Sequence, residues 1–125
     1  LKTRMAALKH VPAGTAVSYG CTYVTWRETS LAVLPIGYAD GLSRKLSNKG
    51  HVLIAGQPCP IVGKVTMDHT IVDVGDLPVS VGDEVVLIGT SGHEQVTAQD
   101  WAGWMDTINY EVTCLISSRV ERIYV

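Results

Sequence analysis

Charge is scarce in this chain. Asp, Glu, Lys and Arg make up 18% of its 125 residues, against roughly 25% in ordinary soluble domains, while hydrophobic residues reach 46%. That balance excludes a disordered chain and implies that part of the surface is normally covered. Ten basic residues against twelve acidic ones leave a net charge of -2 with no basic stretch, so no nucleic-acid partner is expected. Cysteine is scarce too: Cys21, Cys59 and Cys114 are odd in number, widely spaced and free of any C-x-x-C pair. This argues against a disulfide framework or a zinc site and favours a reducing, cytoplasmic setting. No apolar run approaches the ~20 residues that span a bilayer, and the opening LKTRMAALKHV lacks the small-residue cleavage site of a signal peptide. No membrane contact is expected. The opening does not begin with Met and already alternates like a strand, so the expectation is a cut inside a longer polypeptide.

What is present reads as β structure in one domain. Short apolar runs bounded by turn residues predict strands at Thr3–Val11, Ala16–Thr25, Ser30–Ile36, His51–Ala55, Cys59–Val65, Thr70–Val74, Glu84–Gly89 and Val120–Val125. Turns are expected at Pro12-Ala13-Gly14, Ala39-Asp40-Gly41, Asn48-Lys49-Gly50, Gly56-Gln57-Pro58, Val81-Gly82-Asp83 and Ser91-Gly92. HVLIAGQPCPIVGKV reads as a tight hairpin. One segment departs from this pattern: Thr97-Ala98-Gln99-Asp100 has the spacing of a capping box, with Trp101, Trp104 and Met105 at helical intervals, predicting a helix over Thr97–Asp106. Thr107 is placed to cap a second helix, with Ile108, Val112, Leu115 and Ile116 on one face. The fold expected is mainly β: a small β-barrel or Greek-key-like domain with one or two short helices near the C-terminus.

Few side chains suited to chemistry stand together. His10, His51, His69 and His93 are dispersed without metal-ligand spacing, so no metal is expected. Asp68-His69 invites a triad reading, but no serine or cysteine sits in a nucleophile-elbow context. Tyrosine is the exception. Phe is absent, yet there are five Tyr, three of them in the turn-rich or helix-start segments Ser18-Tyr19-Gly20, Gly37-Tyr38-Ala39-Asp40-Gly41 and Ile108-Asn109-Tyr110-Glu111. A tyrosine flanked by glycine leaves room for a ligand or a second backbone to approach its hydroxyl.

Those segments also carry a resemblance. VPAGTAVSYGCTY, LPIGYADGLSR, PIVGKVTMDHTIVDVG, VGDEVVLIG and TINYEVTCLISSRVERIYV follow in order along the chain, and as a set they resemble the C-terminal domain of the alanine racemases. Residues 1–125 then correspond to that domain. Members of the family place before it a (β/α)8 barrel, a fold of about 250 residues, which holds pyridoxal 5'-phosphate and supplies the Schiff-base lysine. The barrel is absent from this chain, so the chain alone is expected to be inactive. The resemblance further implies a homodimer in which this domain completes the partner's active site, a reaction that interconverts L-alanine and D-alanine for peptidoglycan synthesis, and a cytoplasmic enzyme.

Residue by residue, the resemblance makes Tyr19 the catalytic base on the L-alanine face, opposite the lysine. It assigns the Met67 backbone N–H to the substrate carboxylate, with Tyr38 lining the same pocket, and Tyr110 to the cofactor phosphate. Tyr110 would also form the neck of an access channel with Tyr19, and Arg44, Lys64 and Ile108 would lie near its mouth. Lys64 stands where the family commonly has arginine, which keeps the charge but loses the planar fork, and Thr113 where proline is frequent. Tyr19, Tyr38, Met67 and Tyr110 are thus expected on one contiguous face, brought together by a closed or strongly curved sheet. Two alternatives stay open: a serine-preferring or broad-specificity racemase on the same scaffold, which Tyr110 at the neck disfavours, and a non-catalytic β-barrel interaction module.

Overall fold

A computed structural model describes residues 1–125. It contains eleven short strands and two helices. The strands are β1 (Lys2–Arg4), β2 (Ala7–Val11), β3 (Ala16–Val17), β4 (Tyr23–Val24), β5 (Thr29–Leu34), β6 (His51–Ile54), β7 (Gln57–Pro60), β8 (Thr70–Gly75), β9 (Glu84–Val86), β10 (Gly89–Ser91) and β11 (Glu94–Val96); the helices are α1 (Ala98–Met105) and α2 (Asn109–Leu115). All pairings are antiparallel, in sheets ordered β1-β9-β6-β7 and β2-β5-β8, with β3-β4 and β10-β11 as separate two-stranded ribbons. A single bridge, Ile61 to Val72, links the neighbourhoods of the two larger sheets. The mainly-β class with two C-terminal helices holds. The sheets keep open edges and do not close into a barrel.

The main core lies where the β6 face (Val52, Leu53, Ile54), β9 (Val85, Val86) and β5–β8 (Ala32, Leu34, Val72, Val74) meet α1 through Trp101 and Met105. A smaller cluster of Val11, Val17, Leu31 and Val62 supports the end from which the tyrosine-bearing turn emerges. α1 follows its sequence signals closely. Asp100 N–H donates to Thr97 Oγ1 at 3.0 Å and Thr97 N–H donates to Asp100 Oδ2 at 2.8 Å, a reciprocal capping box. Asp106 ends the helix in the left-handed region at φ 56°. The hairpin also forms, turning at Ala55 (φ 52°) and Gly56 (φ 74°), two left-handed residues as a type I′ turn requires.

Several predicted elements differ, each for a visible reason. Thr3–Val11 is two strands in two sheets. Met5 drops into the core, its N–H donates to Asp83 O, and the next N–H, of Ala6, donates to Val33 O, so the chain changes pairing partner there. Ala16–Thr25 is interrupted by a one-turn 3-10 helix at Tyr19–Cys21. The strand predicted at Cys59–Val65 runs instead over Gln57–Pro60: the turn falls at Ala55-Gly56 rather than at Gly56-Gln57-Pro58, so pairing starts at Gln57, and it ends before the positive φ of Gly63. That predicted at Glu84–Gly89 stops at Val86, because the Leu87 and Ile88 N–H groups both turn to Leu1 O. Gly89 then begins a β10–β11 hairpin that the polar run Glu94–Val96 did not suggest. Val120–Val125 is not a strand: Arg122 folds back to donate to the carbonyls of Ile116, Ser117 and Val120. Thr107 does not cap α2; Ile108 occupies that position without a side-chain bond, and Val112 is the one buried residue of that helix.

Candidate active-site groove

The fold leaves an open groove of about 520 Å³ between three loops. Tyr19 comes from the turn between β3 and β4, Tyr38 and Arg44 from the segment after β5, and Lys64 and Met67 from the segment before β8. Five of the seven predicted site residues therefore meet, without barrel closure. Tyr110 and Ile108 do not line the groove. They stand at the start of α2, 75% and 61% exposed, while the far end of that helix touches the groove's supporting loops: a side chain on Gly41 would begin 2.4 Å from Leu115 O, and Ser117 N–H donates to Asp40 O at 2.9 Å.

Backbone contacts hold the groove together. Gly37 lies so close to the opposite loop that a Cβ there would sit 2.1 Å from Thr66 O, which only glycine allows. That approach lets Tyr38 N–H donate to Thr66 O and Ala39 N–H to Met67 O, both at 3.0 Å. Asp40 Oδ2 closes the same turn by accepting the Gly37 N–H at 2.9 Å. The Met67 N–H has no acceptor within the chain, and its side chain is 52% exposed. It is a free donor at the lip of the groove.

Arg44 begins a short 3-10 turn whose Leu46 is buried and whose Ser43 hydroxyl accepts the Lys45 N–H. The following residues lace this turn to the Lys64 segment, with Val65 N–H donating to Ser47 Oγ at 2.9 Å and Gly63 N–H to Asn48 Oδ1 at 2.6 Å. Lys64 leans over the Tyr19 turn: a side chain on Gly20 would begin 3.6 Å from its Nζ. Tyr19 is 74% exposed and its phenol has no partner in the chain. Ser18, just before it, donates its hydroxyl to Lys64 O at 2.6 Å.

Two groove features were not read from the sequence. Asp68, weighed only for a triad, lines the groove and pairs with Arg119 at 2.8 Å, and Arg119 Nε also lies 3.3 Å from Asp40. The hydrogen bond to Asp68, with the charge of Asp40 behind it, raises the Arg119 guanidinium above its ordinary pKa. The pair ties the C-terminal segment to both loops. Nothing local in ISSRVERIYV signals this, because the partners lie 51 and 79 positions away (119 − 68 and 119 − 40).

Comparison with known proteins decides the family. A model described as "Alanine racemase, C-terminal domain" matches residues 1–124. The chain belongs to the alanine racemase C-terminal domain family. It is 57% identical over 124 residues to the alanine racemase of Symbiobacterium thermophilum, a match covering 98% of this chain and 33% of the relative. This racemase C-terminal domain superposes on the crystal structure of alanine racemase from Bacillus anthracis with bound L-Ala-P at a TM-score of 0.94, with 42% identity, over 99% of this chain and 32% of the other. The alanine racemase of Bartonella henselae with covalently bound pyridoxal phosphate follows at 0.90 and 37% identity, covering 99% and 34%. The chain thus spans about a third of the length of these relatives. No helix in it is long and apolar enough to cross a membrane.

Proposed function

We propose that this domain is the C-terminal part of a cytoplasmic alanine racemase, a homodimer that interconverts L-alanine and D-alanine for peptidoglycan synthesis, and that it carries one of the two proton-handling groups of the reaction. The observation that carries this reading is the meeting, in one open groove, of an unpartnered phenol at Tyr19, a free backbone donor at Met67 and a second phenol at Tyr38. Racemisation must remove the α-proton from one face of the substrate carbon and return it on the other, so it needs a proton acceptor on each side. Tyr19 serves the L-alanine face, and a lysine outside these 125 residues serves the other.

Met67 N–H and the Tyr38 hydroxyl receive the substrate carboxylate. Arg44 and Lys64 place positive charge on the groove, where it would favour the carboxylate end of the zwitterionic substrate, an effect that weakens with salt. This donor set, a free N–H with two phenols and two cations, suits a substrate carboxylate beside pyridoxal 5'-phosphate rather than the cofactor itself. When bound, that cofactor supplies the electron sink that makes the α-C–H acidic. Most of its contacts would belong to the preceding domain, and Tyr110 would reach its phosphate. In the homodimer the partner would supply the groove's other wall and cover Tyr19. Alone, the chain has no activity.

The test is Tyr19→Phe in the complete enzyme. The change removes one hydroxyl and leaves the ring. Deuterium wash-in from heavy water at the α-carbon of L-alanine should fall by roughly 10²–10⁴, the contribution of a positioned acid or base, while wash-in at D-alanine suffers less. Equal losses for the two enantiomers would assign Tyr19 to positioning, and near-native racemisation would remove it from the chemistry.

A further inference from the structure

Within this chain the Tyr19 side chain is held by almost nothing: it is mostly exposed and makes no hydrogen bond. What this chain contributes to its aim is the backbone that carries it, and that backbone is unusual. Ser18 has φ 62° and ψ −173°, Gly20 φ 70° and Cys21 φ 48°, so of four consecutive residues only Tyr19 avoids positive φ. The Ser18 conformation belongs to a region occupied essentially by glycine. A glycine there would turn the chain without strain. What serine adds is its hydroxyl, half-buried, which donates to Lys64 O at 2.6 Å.

The seat for that hydroxyl is built to fit. A Cβ on Gly63 would stand 2.9 Å from Ser18 Cβ and 3.0 Å from Val17 O, and Gly63 itself has φ 76°. Only a glycine at 63 lets Ser18 reach the carbonyl of residue 64. The bond joins the turn bearing Tyr19 to the segment that, three residues later, presents the free Met67 N–H. We propose that Ser18 is a positioning residue: its hydroxyl, tied to the Lys64 carbonyl, holds a strained turn in the one conformation that aims the Tyr19 phenol into the groove. This rests on the reading of Tyr19 as a proton-handling group.

The experiment compares Ser18→Ala, Ser18→Gly and Tyr19→Phe in the complete enzyme by deuterium wash-in, each enantiomer followed separately by NMR, with thermal unfolding alongside. Ser18→Ala and Ser18→Gly should both lower wash-in at L-alanine by on the order of 10- to 100-fold, the penalty for a misplaced reacting group. Wash-in at D-alanine and the KM for alanine should stay close to native. Ser18→Gly relieves the backbone strain, so it should unfold no earlier than the native enzyme and still show the lopsided loss; that separates aim from stability. Native wash-in at L-alanine in both Ser18 variants, or equal losses for the two enantiomers, would overturn the inference. If Tyr19→Phe is lopsided and the Ser18 variants are not, the role of Ser18 fails alone. If Tyr19→Phe itself shows no asymmetry, the reading of Tyr19 fails and takes this inference with it.

Discussion

Gly37→Ala is a severe test of how the groove is held, because only one methyl is added. Gly37 lies outside the left-handed region, so alanine meets no backbone penalty there; the whole cost is contact. The new carbon would lie 2.1 Å from Thr66 O and 2.5 Å from both the carbonyl carbon and the oxygen of Met67. All three atoms are backbone and cannot swing aside, so the two loops must separate. Separation strains or breaks the bonds from Tyr38 N–H to Thr66 O and from Ala39 N–H to Met67 O, at about 1 kcal/mol each. Forcing extra volume into a packed contact adds about 1–3 kcal/mol, and the stiffer unfolded chain returns about 0.4–1 kcal/mol. The sum is a destabilisation of roughly 3 kcal/mol. In urea unfolding of the 125-residue chain, followed by tryptophan fluorescence, slopes of about 1–3 kcal/mol per molar convert this into a midpoint lower by roughly 1–3 M at unchanged slope. Gly14→Ala is the control: φ is 84° and nothing lies within 4 Å, so it should show only the left-handed penalty of about 1 kcal/mol. A Gly37→Ala midpoint no lower than that of Gly14→Ala would refute the close approach as the determinant of the site.

Two further outcomes follow from single groups. Burial, and secondarily the charge of Asp73, pushes the Cys59 thiol up to about 11 from an ordinary 9.0. Below pH 9 both states keep the proton and this group leaves stability unchanged; between about 9 and 11 only the unfolded chain releases it, so stability falls as pH rises, by up to roughly 3 kcal/mol at 1.36 kcal/mol per pH unit. Cys59→Ala should lack that alkaline component, and superimposable stability–pH curves would count against it. Thr97→Ala removes one half of the α1 capping box and should cost about 1 kcal/mol in urea unfolding, with Thr97→Ser close to native; equal stability of Thr97→Ala and the native chain would contradict the cap.

What the sequence made legible was local. The capping box and the buried faces of α1 depend on residues within one or two turns of each other, and the β6–β7 hairpin on a single turn, so both could be read before any tertiary contact was known. The failures share the opposite cause. Met5 looks like one more residue in an alternating strand, and nothing nearby reveals that Gly82, Asp83 and Val33 compete for the chain around it. VERIYV has the composition of a strand, but Arg122 reaches back to three carbonyls and bends the segment instead. At the groove, the loops that present Tyr19, Tyr38 and Met67 were marked by a family resemblance rather than by periodicity, since loops carry no period.

The parts of the site that stayed hidden are those that orient rather than touch. Ser18 is an unremarkable residue type in a glycine-like conformation, Gly37 reads as one turn glycine among twelve, and Arg119 meets Asp40 and Asp68 only after the whole chain has folded. Yet within this chain they carry the ties between the groove's loops, since Tyr19, Tyr38 and Met67 are themselves largely exposed. Tyr19, Tyr38 and Met67 are fixed through their main chains, by Ser18 to Lys64, by Gly37 to Thr66 and by Asp40 to the Gly37 N–H. Within this chain the aim of these groups comes from tied backbone rather than from side-chain packing. Substitutions that damage it most selectively should therefore include residues that never touch the substrate. Such positions are found by looking for strained or crowded backbone next to an unsupported functional side chain.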